Sequence, residues 1–303
     1  MTEPVAPDLG VSVSVILPVH GRLDTLERAV RSVLDQEGGH LLELLVVDDG
    51  SPQDPAPVLE AIGDARIRLL RHDANRGAAA ARNTGIQAAK GALLAFQDSD
   101  DQWLPGKLQA QVAALADAPD AAFCYSDMER LLAPTATPEP YPAPEVAKGR
   151  LIDDERNAYA TQDIGIQSCL VRRTAAEAAG PLDEELRRFI DLEWLLRLLQ
   201  VGDGIRVPRP LVRYHLYGEG ISFNRLAAAE SREVLLARYA ADASKRFRAH
   251  QHLLMGRLFI QTRHARRGAR HLTAAARLRP HWTPRLARVA VGAWMARTPE
   301  AAS

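Results

Sequence analysis

Three carboxylates lie within four residues in Asp98-Ser99-Asp100-Asp101. The apolar run before them, residues 91–97, predicts a buried strand that ends in this acidic cluster. Ligands of open α/β sheets bind at the carboxyl ends of strands, so the cluster is where a site is expected. Carboxylates this close repel one another unless a cation or hydrogen-bond donors neutralise them. A hard divalent cation bridging to a diphosphate is the simplest partner, and an Asp that caps a helix near Pro105 is the alternative.

Two further acidic groups follow predicted elements. The turn at residues 48–51, which contains Asp48 and Asp49, comes directly after the apolar run 41–47. It either contributes a carboxylate to the same edge of a sheet or forms a turn closed by an Asx-type hydrogen bond. Asp191 and Glu193 open an amphipathic helix predicted over residues 191–200. A carboxylate there can act as a general base, although acidic residues are also favoured at helix N-termini by the macrodipole.

Strands and helices alternate along residues 12–130, which predicts a mostly parallel sheet covered by helices. The predicted strands are residues 11–17 (stopped by Pro18), 41–47, 66–70 and 91–97, and the predicted helices are 24–36, 57–62 and 78–89. Residues 133–144 hold five prolines and predict a long irregular loop at the edge of the site. Another strand is predicted at residues 167–171.

The charge is distributed unevenly along the 303 residues, whose formal net charge is zero. Residues 226–303 carry 15 basic and 4 acidic side chains, a net of +11, and the rest of the chain carries −11. This basic part predicts two or three helices with turns at Gly256, Gly268 and Pro280. Its arginines either dock on an anionic membrane surface, form solvated helix faces, or pair with the acidic part of the chain.

Several classes of protein are excluded or disfavoured by composition. No apolar stretch approaches the ~20 residues that span a membrane. Residues 1–11 contain Glu3 and Asp8 and no basic segment, so we expect a flexible leader and not a signal peptide. Cys124 and Cys169 lack metal-site spacing and favour a reducing compartment. We therefore expect a cytoplasmic protein, with the inner membrane face as a second location, and no nucleic-acid partner.

Five segments, in this order, resemble the family 2 glycosyltransferases, which have the GT-A fold. These segments are residues 14–20, 44–51, 75–85, 98–105 and 180–194. The resemblance covers residues 12–222 and implies a GT-A catalytic domain at 12–225, with a nucleotide-binding half at 12–130 and an acceptor half at 145–225. A helical extension at 226–303 would follow.

The resemblance also implies a reaction. The family transfers a sugar, with inversion, from a nucleoside-diphosphate sugar to a hydroxyl group with the help of Mn²⁺ or Mg²⁺. We expect a UDP-sugar as donor, and a saccharide chain or lipid-linked oligosaccharide as acceptor. Asp100, and in a lesser role His215, would bind the metal, and Asp191 would be the base. Because Ile190 replaces a Glu that is usual in the family, Glu193 remains a second candidate base.

The nucleotide would be held by residues from several of these segments. In the family's arrangement Asp49 accepts a hydrogen bond from the base, Asp98 contacts the ribose or positions the metal, and Arg82 reaches the base or diphosphate. The remaining implied nucleotide contacts are Pro18, Val19, His20 and Ser99. Residues 213–215 with Ser222 resemble the segment that closes on the diphosphate, although a core or solvated His215 is equally compatible with the sequence.

Two other functions remain open from the sequence. A nucleotidyltransferase that makes sugar nucleotides would also combine a Rossmann-like sheet with acidic metal ligands, but residues 18–22 lack its Gly-rich basic loop. A non-catalytic sugar-nucleotide binder is suggested only by Ile190. Trp103 and Trp194 either line a platform for the sugar or belong to the core.

Overall fold

The structure, a computed structural model, describes residues 11–216, 224–241 and 243–295. The predicted leader, apart from Val11, and Ser222 lie outside these residues. The described residues divide into two compact units, of which the first comprises residues 11–150, 163–184 and 190–216 and the second the remaining described residues. Residues 151–162 and 185–189, predicted to belong to the catalytic range, group with the C-terminal helices in the second unit.

Eleven strands and ten α-helices are formed by the described residues. The strands are β1 (Val13–Val19), β2 (Leu41–Asp48), β3 (Ile67–Arg71), β4 (Leu93–Phe96), β5 (Gln102–Trp103), β6 (Ala121–Leu131), β7 (Glu139–Tyr141), β8 (Ile152–Asp153), β9 (Ala158–Tyr159), β10 (Cys169–Arg172) and β11 (Asp203–His215). The helices are α1 (Leu23–Leu34), α2 (Ala56–Ile62), α3 (Ala78–Ala88), α4 (Lys107–Asp117), α5 (Arg173–Ala179), α6 (Ile190–Val201), α7 (Arg225–Tyr239), α8 (Lys245–Gln261), α9 (Ala265–Leu278) and α10 (Thr283–Met295).

The first unit is built on one sheet with the strand order β3-β2-β1-β4-β10-β6-β11-β5, and β7 pairs with β6. Strands β3, β2, β1 and β4 are parallel, as are β6 and β11, whereas β10 runs antiparallel between β4 and β6. The α/β class with a mostly parallel sheet is therefore confirmed. Strand β1 is central and apolar at almost every position, as expected for a strand covered on both faces.

Strand register brings the candidate residues to one edge of the sheet. Val19 is opposite Asp48 in the β1–β2 pair, and Ile16 is opposite Phe96 in the β1–β4 pair. The loops that follow β1, β2 and β4 consequently emerge side by side. The acidic turns at residues 48–51 and 98–101 both lie at this carboxyl edge.

Two predictions about proline were wrong. Strand β1 does not stop at Pro18 but continues to Val19, with Pro18 opposite Val47. Pairing with β4 ends at Ile16, so Pro18 leaves no hydrogen bond unmade on that side. The proline-rich segment 133–144 is not wholly irregular, because Pro140 lies in β7, an edge strand, where a missing N–H is tolerated.

The second unit combines the β8–β9 hairpin with four helices, α7 to α10, where two or three were predicted. Pro280 does lie between α9 and α10, but Gly256 and Gly268 are inside α8 and α9 and not in turns. A Cβ atom at Gly256 would lie 2.6 Å from Leu272 Cδ2, and one at Gly268 would lie 2.5 Å from Ile260 Cγ1. These glycines therefore serve the close approach of α8 and α9. None of the helices in the described part of the chain is long and apolar enough to cross a membrane.

Candidate active site

The loops after β1 and β2 are tied together at the carboxyl edge of the sheet. The Asp49 N–H donates to the Val19 carbonyl at 2.8 Å, and the Gly21 N–H donates to Ser51 Oγ at 2.9 Å. Val19 is buried, Pro18 is half-buried and His20 is exposed. These three predicted nucleotide contacts therefore differ in how accessible they are to a ligand. Gly50 has a φ of +70°, and a Cβ atom there would lie 2.5 Å from the Ala74 backbone.

The carboxylate of Asp49 organises the loop that leads into α3. It accepts hydrogen bonds from the N–H groups of Arg76 (2.9 Å) and Gly77 (2.7 Å) and from His72 Nδ1 (2.7 Å). The other ring nitrogen of His72 bonds to Thr84 Oγ1 at 2.9 Å. The Asx-type alternative applies to Asp48, whose Oδ1 accepts the Ser51 N–H. Sequence reasoning missed His72, since neither its partners nor its burial has a local signal.

Asp98 is paired with Arg82, both of which were predicted to contact the nucleotide. Arg82 NH2 lies 2.5 Å from Asp98 Oδ1, and the Asp98 side chain is 27% exposed. Arg82 Nε is buried and has no hydrogen-bond partner among the described residues. Because buried donors are normally satisfied, this N–H is available to a ligand that enters here. The neighbouring Ser99 is buried.

Asp100 extends from the same turn and is 33% exposed. Its Oδ2 is 2.5 Å from the Arg22 guanidinium, and its carbonyl accepts a hydrogen bond from Arg28 at 2.7 Å. Burial raises the pKa of Asp100, and the Asp98 charge raises it further, while Arg22 and Arg28 act in the opposite direction. A cation beside Asp100 would relieve the same repulsion.

Asp101 has a structural role that differs from that of its neighbours. It is fully buried and accepts hydrogen bonds from Gln167 Nε2 (3.0 Å) and from the His215 N–H (2.9 Å). Burial, together with Asp98 and Asp100, raises the pKa of Asp101 well above its usual range. The helix-cap alternative is wrong, because α4 begins after Gly106 without a side-chain cap.

His215 is also buried, with Nδ1 at 4.0 Å from Asp101 Oδ1. Burial, reinforced by Arg28 and Arg213, lowers the pKa of His215 to about 4, so the ring is neutral near pH 7. Its metal role stays a prediction.

The donor set at this edge fits a cation whose coordination a substrate completes. Within residues 11–216, 224–241 and 243–295, no group of three or more His, Cys, Asp and Glu side chains is arranged to hold a metal ion. Mg²⁺ is usually bound by one or two carboxylates plus substrate phosphates. The partly exposed Asp100 can provide one such carboxylate. Carboxylate oxygen suits Mg²⁺ and Mn²⁺ better than imidazole nitrogen does, so Asp100 fits this role better than His215.

The two candidate bases at the start of α6 differ sharply in their surroundings. Glu193 is buried and both of its oxygens bind the guanidinium of Arg197, at distances of 2.8–3.1 Å. Asp191 Oδ1 accepts the Leu192 N–H at 2.8 Å, and apart from N–H groups at the start of α6 no described donor binds its carboxylate. Burial raises the pKa of Asp191; the Leu192 N–H and Arg82 lower it, and Asp98 adds to the increase. Asp191 is thus the carboxylate that shares an electrostatic environment with the Arg82–Asp98 pair.

Both tryptophans belong to the core and not to a sugar platform. Trp103 and Trp194 are almost completely buried, and Trp194 packs edge-on against Phe96 while its Nε1 donates to the Gly180 carbonyl. Trp103 lies beneath the ammonium group of Lys107.

Comparison with known proteins assigns the chain to a family. The family model described as Glycosyl transferase family 2 matches residues 14–177, more than half of the chain. The chain is a family 2 glycosyltransferase. This membership confirms the enzyme class, glycosyltransferase, and decides against a nucleotidyltransferase.

Two relatives of this glycosyltransferase have names that state a process or a reaction. The succinoglycan biosynthesis protein ExoO of Rhizobium meliloti is 30% identical over 266 residues, which cover 83% of this chain and 75% of ExoO. WfgD of Escherichia coli, named as a UDP-Glc:alpha-D-GlcNAc-diphosphoundecaprenol beta-1,3-glucosyltransferase, is 37% identical over 117 residues. That match covers 39% of this chain and 46% of WfgD.

Solved structures confirm the GT-A fold. S. aureus TarS 1-349 in complex with UDP-GlcNAc aligns with a TM-score of 0.64 and 14% identity, covering 93% of this chain and 89% of TarS. The mannosyltransferase PcManGT of Pyrobaculum calidifontis, in complex with GDP-Man and Mn²⁺, aligns with a TM-score of 0.59 and 19% identity. This alignment covers 98% of this chain and 84% of PcManGT. At these identities the likeness is one of fold alone.

Proposed function

We propose that this glycosyltransferase is metal-dependent and inverting, and that it transfers a sugar from a UDP-sugar to a hydroxyl group of a saccharide chain or lipid-linked oligosaccharide. The observation that carries the proposal is the placement of Asp191, whose carboxylate forms no salt bridge with a described residue and has its pKa shifted by the nearby charges of Arg82 and Asp98. One base next to one diphosphate-binding edge is the arrangement that single displacement requires.

The chain's own groups divide the work. Asp49, Pro18 and Val19 shape the nucleotide end, and the free Nε–H of Arg82 is available to the base or diphosphate. Asp191 deprotonates the acceptor hydroxyl as that oxygen attacks the anomeric carbon. Asp100, with a lesser part for His215, would hold Mn²⁺ or Mg²⁺, which as a Lewis acid offsets the negative charge of the departing diphosphate.

A UDP donor and a lipid-linked acceptor are supported by names of relatives and neighbours. TarS was solved with UDP-GlcNAc, and WfgD is named for a diphosphoundecaprenol acceptor. The Mn²⁺ in PcManGT supports the metal. A cytoplasmic location is part of the proposal, supported by two buried cysteines that form no disulfide. A lipid-linked acceptor would require work at a membrane surface, for which the basic C-terminal helices are the candidate.

Thermal shift measurements with UDP-glucose, UDP-GlcNAc and GDP-mannose, each with and without Mn²⁺, test the proposal. A ligand at 100 times its dissociation constant stabilises a protein by about 2.7 kcal/mol. We expect a UDP-sugar to give the largest shift, and Mn²⁺ to increase it. Asp100→Asn should lose the Mn²⁺-dependent part, whereas Asp120→Asn, an exposed carboxylate just before β6, should keep it. Equal shifts with and without Mn²⁺ in wild type would reject the metal assignment.

A further inference from the structure

The last two helices of the described chain carry positive charge and contain no acidic residue of their own. Residues 265–295, which contain α9 and α10, include seven arginines and no aspartate or glutamate. Arg267 is neutralised by Glu230 and Glu233 of α7, and Arg279 lies over the Trp282 ring. Four of the others, whose side chains the structure describes, contribute to a basic region that the packing of the second unit leaves largely unused.

Four of these arginines are exposed and have no acidic partner among the described residues. They are Arg266, Arg270, Arg277 and Arg288. Exposed like charges held on two adjacent helices repel one another and lower the stability of the folded unit. An anionic surface that contacts them together would remove this repulsion.

Helix α10 adds an exposed apolar stripe to this charge. Its inward side chains include the buried Leu286 and Ala293. Arg288, Val291 and Met295 follow one another at intervals of three and four residues, so they lie on one outward face. Val291 is 55% exposed and Met295 is 69% exposed, the two largest values among the exposed large hydrophobic residues of the described chain. Apolar side chains beside arginines on an outward helix face are typical of helices that lie in a membrane interface.

We propose that the exposed faces of α9 and α10 form a docking surface for an anionic lipid bilayer. This α9–α10 surface consists of Arg266, Arg270, Arg277, Arg288, Val291 and Met295. The arginines would contact lipid phosphates, and Val291 and Met295 would enter the boundary between headgroups and acyl chains. A second copy of the chain is a poorer occupant, because two such surfaces would place their unpaired arginines against each other. The docking rests on these charges and exposures, whereas its link to a lipid-linked acceptor rests on the proposed function.

Vesicle sedimentation of the full chain tests this surface. The protein is mixed with vesicles of phosphatidylcholine alone, or of phosphatidylcholine with about one third phosphatidylglycerol. We expect binding to the anionic vesicles only, and weaker binding as salt is raised, because screening shortens the reach of the arginines. Equal binding to both kinds of vesicle, or to neither, would overturn the proposal.

Matched variants locate the binding. Replacing Arg266, Arg270, Arg277 and Arg288 by Gln should reduce the partition onto anionic vesicles by about 100-fold or more. Replacing four exposed cations of the first unit, Lys90, Lys148, Arg150 and Arg209, by Gln removes the same charge elsewhere and should change it less than about threefold. Val291→Ser with Met295→Ser should reduce it about tenfold. Equal losses in the two charge variants would show non-specific attraction and overturn the assignment.

Two further readouts separate the possible failures. Light scattering of the free protein over a range of concentrations detects a dimer, and a dimer abolished by Val291→Ser with Met295→Ser would overturn the bilayer as occupant. Hydrolysis of a UDP-sugar without vesicles reports the proposed function alone, and all these variants should retain it. Vesicle binding without donor turnover would support the docking surface and reject the proposed function. Donor turnover without vesicle binding would reject the docking surface and support the proposed function.

Discussion

Asp191 and Glu193 lie two residues apart in α6, but their carboxylates differ in what already binds them. Glu193 holds Arg197 through both oxygens. Among the described residues, Asp191 is bound only by N–H groups at the helix start. Asp191→Asn should therefore reduce transfer by about 10²–10⁴ and leave UDP affinity unchanged, since the amide keeps the size but is not a base. Steady-state rates and calorimetric titration with UDP check both parts.

Glu193→Gln is the matched control for Asp191→Asn. It should lower the unfolding temperature, because Arg197 loses a buried charged partner, while the rate per folded molecule changes little. Inactivation by Glu193→Gln, with activity retained in Asp191→Asn, would show that the wrong acidic residue of α6 had been chosen.

The raised pKa of Asp191 predicts a definite pH dependence. A general base must be deprotonated, so kcat/KM should climb as pH rises through a pKa above the usual aspartate range. The same shift destabilises the fold: the native state holds this proton more tightly than the unfolded chain, so stability falls as pH rises between the usual and the raised pKa. The Asp191→Asn variant should therefore unfold at an equal or higher temperature at pH 7. Its kcat/KM should also lose the fall at acidic pH, the acid limb of the pH profile. An unchanged acid limb in the residual activity would assign it to another group.

Substitution of Asp49 tests whether this carboxylate contributes to nucleotide binding. Asp49→Ala should weaken UDP binding by about 10- to 150-fold, the worth of one charge-assisted hydrogen bond, and it also frees the loop at Arg76 and Gly77. Asp64→Ala is the control. Asp64 accepts a backbone N–H, as Asp49 does, but its side-chain partner is Arg66 and it lies just before β3, away from the carboxyl edge. Calorimetric titration that gave both variants the wild-type affinity would refute the assignment of Asp49.

Single residues also show where sequence reasoning ends. Asp49, Asp98 and Asp100 could be placed because each follows an apolar run that predicts a strand. Arg22 and His72 could not, because their partners Asp100 and Asp49 lie 78 and 23 residues away. Such pairs depend on strand register, which no local pattern reveals.

At the level of elements, the crossing of α8 and α9 depends on two glycines that the sequence suggested were turns. Gly268→Ala should lower the unfolding temperature, because the added methyl must displace Ile260 at a cost of about 1–3 kcal/mol, more than the ~1 kcal/mol gained in helix propensity. Gly292→Ala in α10 meets nothing within 4 Å and should raise the temperature slightly. Equal effects of the two substitutions in thermal unfolding would contradict the proposed close packing.

Elements with a clear apolar run were predicted well, and those set by long-range pairing were not. The runs at residues 41–47 and 66–70 correspond to β2 and β3 within one residue at either end. Strands β7, β8 and β9 are each only two or three residues long. They form because of the strands they pair with and not because of their own composition. Pro18 and Gly256 were misjudged because propensity was used without knowing which neighbours pack against the backbone.

At the scale of the whole molecule, the two parts of the chain differ in the sign of their net charge. The strongly acidic part contains the GT-A unit, and the basic part contains α7 to α10. Strand–helix alternation predicted the parallel half of the sheet, but not the antiparallel insertion of β10 between β4 and β6. That insertion comes from a strand more than 70 residues after β4, a separation over which sequence patterns carry no register.

The central claim is single displacement with Asp191 as base, and the stereochemistry of the released sugar tests it most directly. Water can replace the acceptor, so no acceptor needs to be known. A UDP-α-sugar that binds the enzyme is hydrolysed in an NMR tube, and the anomeric proton of the product is followed before mutarotation. We predict that the β-anomer appears first, in the presence of Mn²⁺. First appearance of the α-anomer would contradict single displacement, whatever the effects of the individual variants.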